Sequence, residues 1–284
     1  MSILALLLLL TAAILHTTWN LLLKNSDDKY IAIWWMVFNG GVISLIALFF
    51  TGLPPREAWT FIFFSVLVEA AYFITLSYAY QDNDFSLVYP IARGAAPAFL
   101  AAWSVIFLHE TLTGGGLIGL FMIVIGLVVI GFSNLLEAKT AKLHIRGLAV
   151  AVFIALLISI YTVIDGAAVK QVPPVPYVLT IFCLAPIPMI PFIFKKYGWD
   201  RLKQPWQTQG LSLLWPGVLG ITTYLLVTFA YRIAPLSYSG AVREVSVVMG
   251  AFAGWHFFGE KMGSVRLIGA FIIFAGILLV AIFG

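Results

Sequence analysis

Five ionisable side chains stand in surroundings that are almost wholly apolar. They are Glu69 in "SVLVEAAYFITLSYAY", Arg93 in "VYPIARGAAP", Asp165 in "YTVID", and the adjacent Arg243 and Glu244 in "AVREVSVV". An unpaired charge in such a setting costs several kcal/mol, so each of these residues needs a partner or a purpose. A guanidinium presents a planar fork that matches a carboxylate or phosphate, whereas a carboxyl group can carry a proton. Two cations and three carboxylates together suit a ligand bearing both charges, or a set in which one carboxyl titrates.

His16 and Asn20, in "HTTWN", extend this polar set. Aromatic residues lie on the same stretches. Tyr72 follows Glu69 by three residues and Tyr89 precedes Arg93 by four, spacings that share a helix face, and Trp19, Tyr161 and Tyr224 accompany the other charges. The candidate substrate-binding residues are therefore Arg93, Arg243, Tyr89, Trp19, Asn20, Tyr72, Tyr161 and Tyr224. Glu69 leads the candidates for a proton-coupling group, followed by Glu244, His16 and Asp165. The plainer reading stands beside this one: the charges pair with each other and only hold helices together. Adjacent helical residues point about 100° apart, so Arg243 and Glu244 are expected to find partners on other helices or on a substrate. Pro90 and Pro97 bracket Arg93 and are expected to loosen its helix and free nearby carbonyls.

The elements that must position these residues follow from composition. Of 284 residues, 62% are hydrophobic and 10% charged, against about 25% charged in soluble domains. The apolar runs are about 20 residues long, the length that crosses a bilayer as a helix. Polar and Pro/Gly punctuation divides the chain into ten predicted spans: 2–24, 30–51, 60–80, 86–108, 113–133, 147–169, 175–194, 210–231, 236–258 and 263–283. The runs are too long and too continuous for barrel strands. The expectation is an all-α integral membrane protein.

The two halves resemble each other. "HETLTGGGLIGLFMIVIGLVVI" (109–130) aligns with "GEKMGSVRLIGAFIIFAGILLV" (259–280) at a shift of 150, superposing Glu110 on Glu260, Gly119 on Gly269 and Gly126 on Gly276. Arg93 meets Arg243 at the same shift, Ala79-Tyr80 meets Ala230-Tyr231 at 151, and Asn20 aligns more loosely with Asp165. Five spans per half force the second half to run inverted through the membrane. The expected organisation is a first five-helix repeat (1–133), a polar linker (134–146) and a second five-helix repeat (147–284). Inverted repeats around a midplane cavity characterise secondary transporters.

The Glu-then-Gly-rich segments after residues 107 and 257, with the Trp-Asn of "HTTWNLLLK", resemble the EamA-type members of the drug/metabolite transporter superfamily over essentially the whole chain. The resemblance implies ten spans in two halves and carriage of small metabolites, often export of amino acids or related compounds. The expected localisation is a bacterial inner membrane. Expected partners are a small-molecule substrate, membrane lipid and protons, with no nucleic acid, cofactor or metal.

Several signals carry less than they first suggest. Gly114, Gly116 and Gly119 satisfy G-x-G-x-x-G, but that fingerprint needs a preceding strand, and here it opens a membrane helix, where small residues permit close packing. Glu110 and Glu260 lie between spans, where a carboxylate favours the start of the following helix. Cys183 sits in an apolar run as a packing residue. A lipid-modifying membrane enzyme, a flippase of lipid-linked substrates and a channel are the competing functions. No HExxH, G-x-S-x-G or phosphate-binding GxxxxGK[ST] occurs. The links after odd-numbered spans hold eleven Lys and Arg (Lys24, Lys29, Lys139, Lys142, Arg146, Lys195, Lys196, Arg201, Lys203, Lys261, Arg266). Those after even-numbered spans hold Arg56, Lys170 and Arg232. The positive-inside rule then places both termini outside the cytoplasm, opposite to what the resemblance implies.

Overall fold

In bilayer hydrocarbon every backbone N–H and C=O must be satisfied within the segment, so long apolar runs fold as helices. The computed structural model follows this rule, and it describes residues 1–24, 28–82, 85–137, 145–258 and 264–284. The helices are α1 (Ile3–Lys24), α2 (Lys29–Thr51), α3 (Ala58–Asp82), α4 (Phe85–Leu108), α5 (Gly114–Glu137), α6 (Ile145–Val169), α7 (Pro174–Leu184), α8 (Pro186–Gln209), α9 (Leu214–Ile233), α10 (Leu236–Arg243), α11 (Val245–Phe258) and α12 (Ser264–Phe283). Six stretches among the described residues are long and apolar enough to cross a membrane, and Pro174–Ile233 contains two successive crossings. Ala92–Leu108 and Gly114–Ile130 are shorter apolar helices. Large side chains such as Phe49 (83% exposed), Phe50 (86%) and Phe271 (71%) face outward, a surface that fits lipid and not water.

Among the described residues twelve α-helices fill ten spans, because two spans are interrupted. The seventh breaks where α7 gives way to α8 at Ala185–Pro186, and the ninth turns between α10 and α11 at Arg243–Glu244. At that second turn the Glu244 N–H donates to the Ala241 carbonyl at 3.1 Å and Val247 N–H to the Glu244 carbonyl at 2.9 Å, three-residue bonds that tighten the helix locally. By contrast, α4 is helical throughout, across Pro90 and Pro97. Pro90 removes the donor that would have met the Ser86 carbonyl, in the second turn of the helix. Pro97 removes only the donor that would have met the Arg93 carbonyl. The stretch 195–209, expected as a polar link, is helical with a kink at Gly198, whose φ of 67° suits glycine.

Contacts between links settle which ends of the helices share a face. Met1 lies against Gly284, Glu110 against Lys170 and Leu236, and Thr113 against Phe283. At the other face Arg201 pairs with Asp28 at 3.2 Å and the Trp35 indole donates to the Leu202 carbonyl at 2.8 Å. An even number of crossings separates the members of each set, as ten spans require.

The inversion of the repeats is written into the α5–α12 seam. A Cβ on Gly119 would lie 2.7 Å from the Gly276 carbonyl oxygen, and one on Gly276 would lie 2.7 Å from that of Gly119. Gly126 and Gly269 face each other in the same way, at 2.7 and 2.9 Å. The repeat shift of 150 exchanges these two pairs, so the antiparallel helices meet through a self-complementary two-fold contact. The remaining packing obeys the same exchange: α6 packs on α3 and α4, as α1 packs on α9 and on α10–α11, while α2 packs on α7. Only glycine permits this approach. Gly126→Ala is expected to lower the melting temperature in detergent by the equivalent of about 1–3 kcal/mol of overpacking. Gly114→Ala, which meets nothing within 4 Å, is expected to leave it unchanged. Equal melting of the two variants would show that the seam does not depend on backbone contact.

Candidate functional site

The α10–α11 turn places Arg243 in the last turn of one helix and Glu244 immediately before the next. Each charge complements its helix end, a cation at a C-terminus and an anion at an N-terminus. Both side chains are buried, Arg243 at 8% and Glu244 at 1% exposure. From the first repeat, α4 brings Arg93, and its Nε lies 2.8 Å from Glu244 Oε2. Arg93 Nη2 also donates to the Ser246 hydroxyl at 3.3 Å, and Thr17 on α1 donates to the Ser246 carbonyl at 3.2 Å. Arg243 Nη1 donates to the Tyr231 hydroxyl on α9 at 3.1 Å. Its Nη2 lies 3.8 Å from Glu244 Oε1, the outer limit of an ion pair. Glu244 thus stands between both arginines. The expectation from helix geometry holds for Glu244, whose partner Arg93 comes from another repeat. It fails in part for Arg243, because the tightened turn and the length of the two side chains let sequence neighbours approach.

A second polar group lies across the same interior. Asp165 on α6 is fully buried and accepts hydrogen bonds from Tyr177 on α7 at 2.7 Å and from Tyr224 on α9. The buried Ser65 hydroxyl on α3 lies beside it. Glu69, one turn further along α3, faces Asp165 closely enough for the two carboxyl groups to interact electrostatically. The fields of Arg93 and Arg243 both reach His16 on α1, and those of Arg243, Glu69 and Arg93 converge on Tyr161 of α6. Glu69, His16, Tyr161 and Tyr224 are each half-buried among the helices.

These contacts sort the residues singled out in the sequence. Arg93, Arg243 and Glu244 form one cluster, Glu69 and Asp165 another, and Tyr161, Tyr224 and His16 lie within electrostatic range of them. Tyr72 packs against Tyr161 with ring centroids 6.0 Å apart. Trp19 stacks edge-on against His16 at 4.7 Å, and the Asn20 amide donates to the His16 carbonyl at 2.7 Å, so Asn20 serves the local helix. The Tyr89 side chain and Glu260 lie outside the described residues. Glu110, expected at the start of the following helix, binds elsewhere, and the Thr113 hydroxyl accepts from Gly116 N–H at the start of α5 in its place. Sequence reasoning passed over Tyr177, Tyr231 and Ser246. Tyr231 carried a signal, since it superposes on Tyr80 between repeats, but Tyr177 in "PVPYV" reads as an interfacial aromatic and Ser246 has no distinguishing context.

Comparison with known proteins bears on the whole assembly. The EamA-like transporter family matches residues 2–132 and, a second time, residues 145–282. An uncharacterized protein of Methanocaldococcus jannaschii is 28% identical over 135 residues, which are 46% of this chain and 98% of that protein. That match is the length of one repeat. A solved crystal structure shares the fold with a TM-score of 0.78, at 17% identity and with 99% of each chain covered.

Removing one partner of a buried ion pair strands the other charge, at a cost of about 3–5 kcal/mol. Arg93→Met is therefore expected to destabilise the protein strongly, and Glu244→Gln likewise. The double variant, in which neither member of that pair is stranded although Arg243 still loses its carboxylate neighbour, is expected to lose less than the sum by about 0.5–3 kcal/mol. A double-mutant cycle on melting temperatures tests this, and strict additivity would mean that the 2.8 Å contact does not couple the repeats.

Proposed function

The chain belongs to the EamA-like transporter family, and we propose that it is a secondary carrier of small polar metabolites such as amino acids or related compounds. Members of this family are membrane transporters. In this reading the protein sits in a bacterial inner membrane and works by alternating access around the interior space between its repeats. The observation that carries the reading is the charge arrangement. Two guanidinium groups share one carboxylate at the α10–α11 turn, while the carboxyl groups of Glu69 and Asp165 lie close to each other and within reach of the Arg243 field. A zwitterion satisfies both ends at once. Its anionic group meets the arginines and its ammonium group meets the carboxyl pair, with Tyr161 and Tyr224 between. An interrupted helix at this position exposes helix ends toward a ligand, as broken membrane helices do in other carriers.

Glu69 is the proposed coupling group. It is partly accessible, whereas Asp165 and Glu244 are buried against fixed donors. A proton that enters on Glu69 alters the balance of charge facing the substrate, which links proton entry to substrate release. The lipid-enzyme and flippase alternatives have no site observation in their favour.

Ligands that bind only the folded state raise its melting temperature by mass action. Among amino acids, simple amines, monocarboxylates and phosphorylated sugars, the zwitterions are expected to give the largest shift. Arg243→Lys keeps the charge but loses the fork, and is expected to weaken that binding by about 1–3 kcal/mol while the ligand-free melting temperature stays close to wild type. If Arg243→Lys and Arg93→Lys lose stability yet bind normally, the arginines are structural struts and the site lies elsewhere.

A further inference from the structure

α10 is a half-helix with one end at the substrate site and the other at the membrane face that carries both termini. Its eight residues span roughly 12 Å. The start of a helix leaves backbone N–H groups without intrahelical acceptors, and α10 begins after Pro235 with no capping side chain of its own. Its cap comes from the other repeat. Leu236 N–H donates to Glu110 Oε1 at 2.6 Å, and Ser237 N–H and hydroxyl donate to Glu110 Oε2 at 3.1 and 2.8 Å. Lys170 at the end of α6 adds an ion pair at 3.2 Å. Three residues beyond Glu110, Thr113 N–H donates to the hydroxyl of Tyr238, the third residue of α10, at 3.0 Å. Immediately before Glu110, His109 holds a φ of +53°, a left-handed conformation that an ordinary side chain adopts only at a cost. The link between α4 and α5 is thus bent against its own preference to carry a carboxylate to the end of α10.

We propose that Glu110 is a latch that closes this face of the carrier, and that releasing α10 from Glu110 opens the path from this face to Arg243. The inference rests on the carrier reading, because only a protein that alternates between faces needs such a contact to break. The bonds join the first repeat to the second at a point where any opening must separate them. They also act through a helix whose far end holds Arg243 and Glu244, so a change at the substrate site and the state of the latch are transmitted along one rigid element.

Ser239 lies on α10 one turn inside the latch and is fully buried, whereas Ser44 on α2 is equally buried but remote from it. Each is replaced by cysteine in a Cys183→Ala background, and the rate of reaction with a water-soluble thiol reagent is measured on purified protein, with Glu110 intact and with Glu110→Gln. Loss of a charged acceptor is expected to raise the reaction rate at position 239 by about tenfold or more, while the rate at position 44 stays unchanged. Ser237→Ala is expected to give a smaller rise at position 239. Parallel increases at both positions would show that Glu110 merely stabilises the fold, and no increase at position 239 would show that the contact does not gate this face. Neither result depends on a substrate, so failure of the latch is distinguishable from failure of the carrier reading.

Discussion

The bilayer core has no water with which to solvate a guanidinium, and the positions of Arg93 and Arg243 therefore fix much else in the molecule. Arg93 comes from α4 and meets Glu244 at 2.8 Å, which ties the first repeat to the second. Glu244 reaches both arginines because α10 and α11 are separated by a tight turn, and each charge at that turn suits the helix end on which it sits. The interrupted ninth span is what lets one carboxylate approach both guanidinium groups.

The structure divides its work between a rigid seam and an adaptable interior. Along α5 and α12 carbonyl oxygens approach within Cβ distance of the opposing glycines, so these helices have no freedom to slide. Around the charges, by contrast, His16, Glu69, Tyr161 and Tyr224 keep partial accessibility. Asp165 is held by two phenol hydroxyls from α7 and α9, which belong to the same repeat. The repeats also pack through α4 on α6 and α1 on α9, and at two points, Arg93–Glu244 and Glu110–Leu236, the contact between them is polar. Polar contacts of this kind can exchange for water or ligand at small net cost, whereas the glycine seam can only be broken by opening a void.

The membrane class, the ten crossings and the inverted halves were legible in the sequence because hydropathy and a 150-residue repeat depend only on local composition and order. The seam itself was visible as Gly119, Gly126, Gly269 and Gly276, since close backbone approach demands glycine. The charged site residues were legible because charge in an apolar run is costly and therefore conspicuous. What escaped detection was the pairing. That Glu244 joins Arg93, that Tyr177 and Tyr224 serve Asp165, and that Glu110 caps α10 across the repeat boundary are all contacts with no local spacing rule. Pro90 and Pro97 lie within a continuous α4, while the turn at Arg243–Glu244 carries no proline and so had no local signal in the sequence.

Exchange across a membrane tests the central claim most directly. In proteoliposomes preloaded with an unlabelled zwitterion that raises the melting temperature, the protein is predicted to drive transient uptake of the radiolabelled compound above its equilibrium level, as only a carrier does. Glu69→Gln is predicted to retain this exchange while losing accumulation driven by a pH gradient. A ligand that binds the purified protein but shows no exchange in either direction would contradict the account.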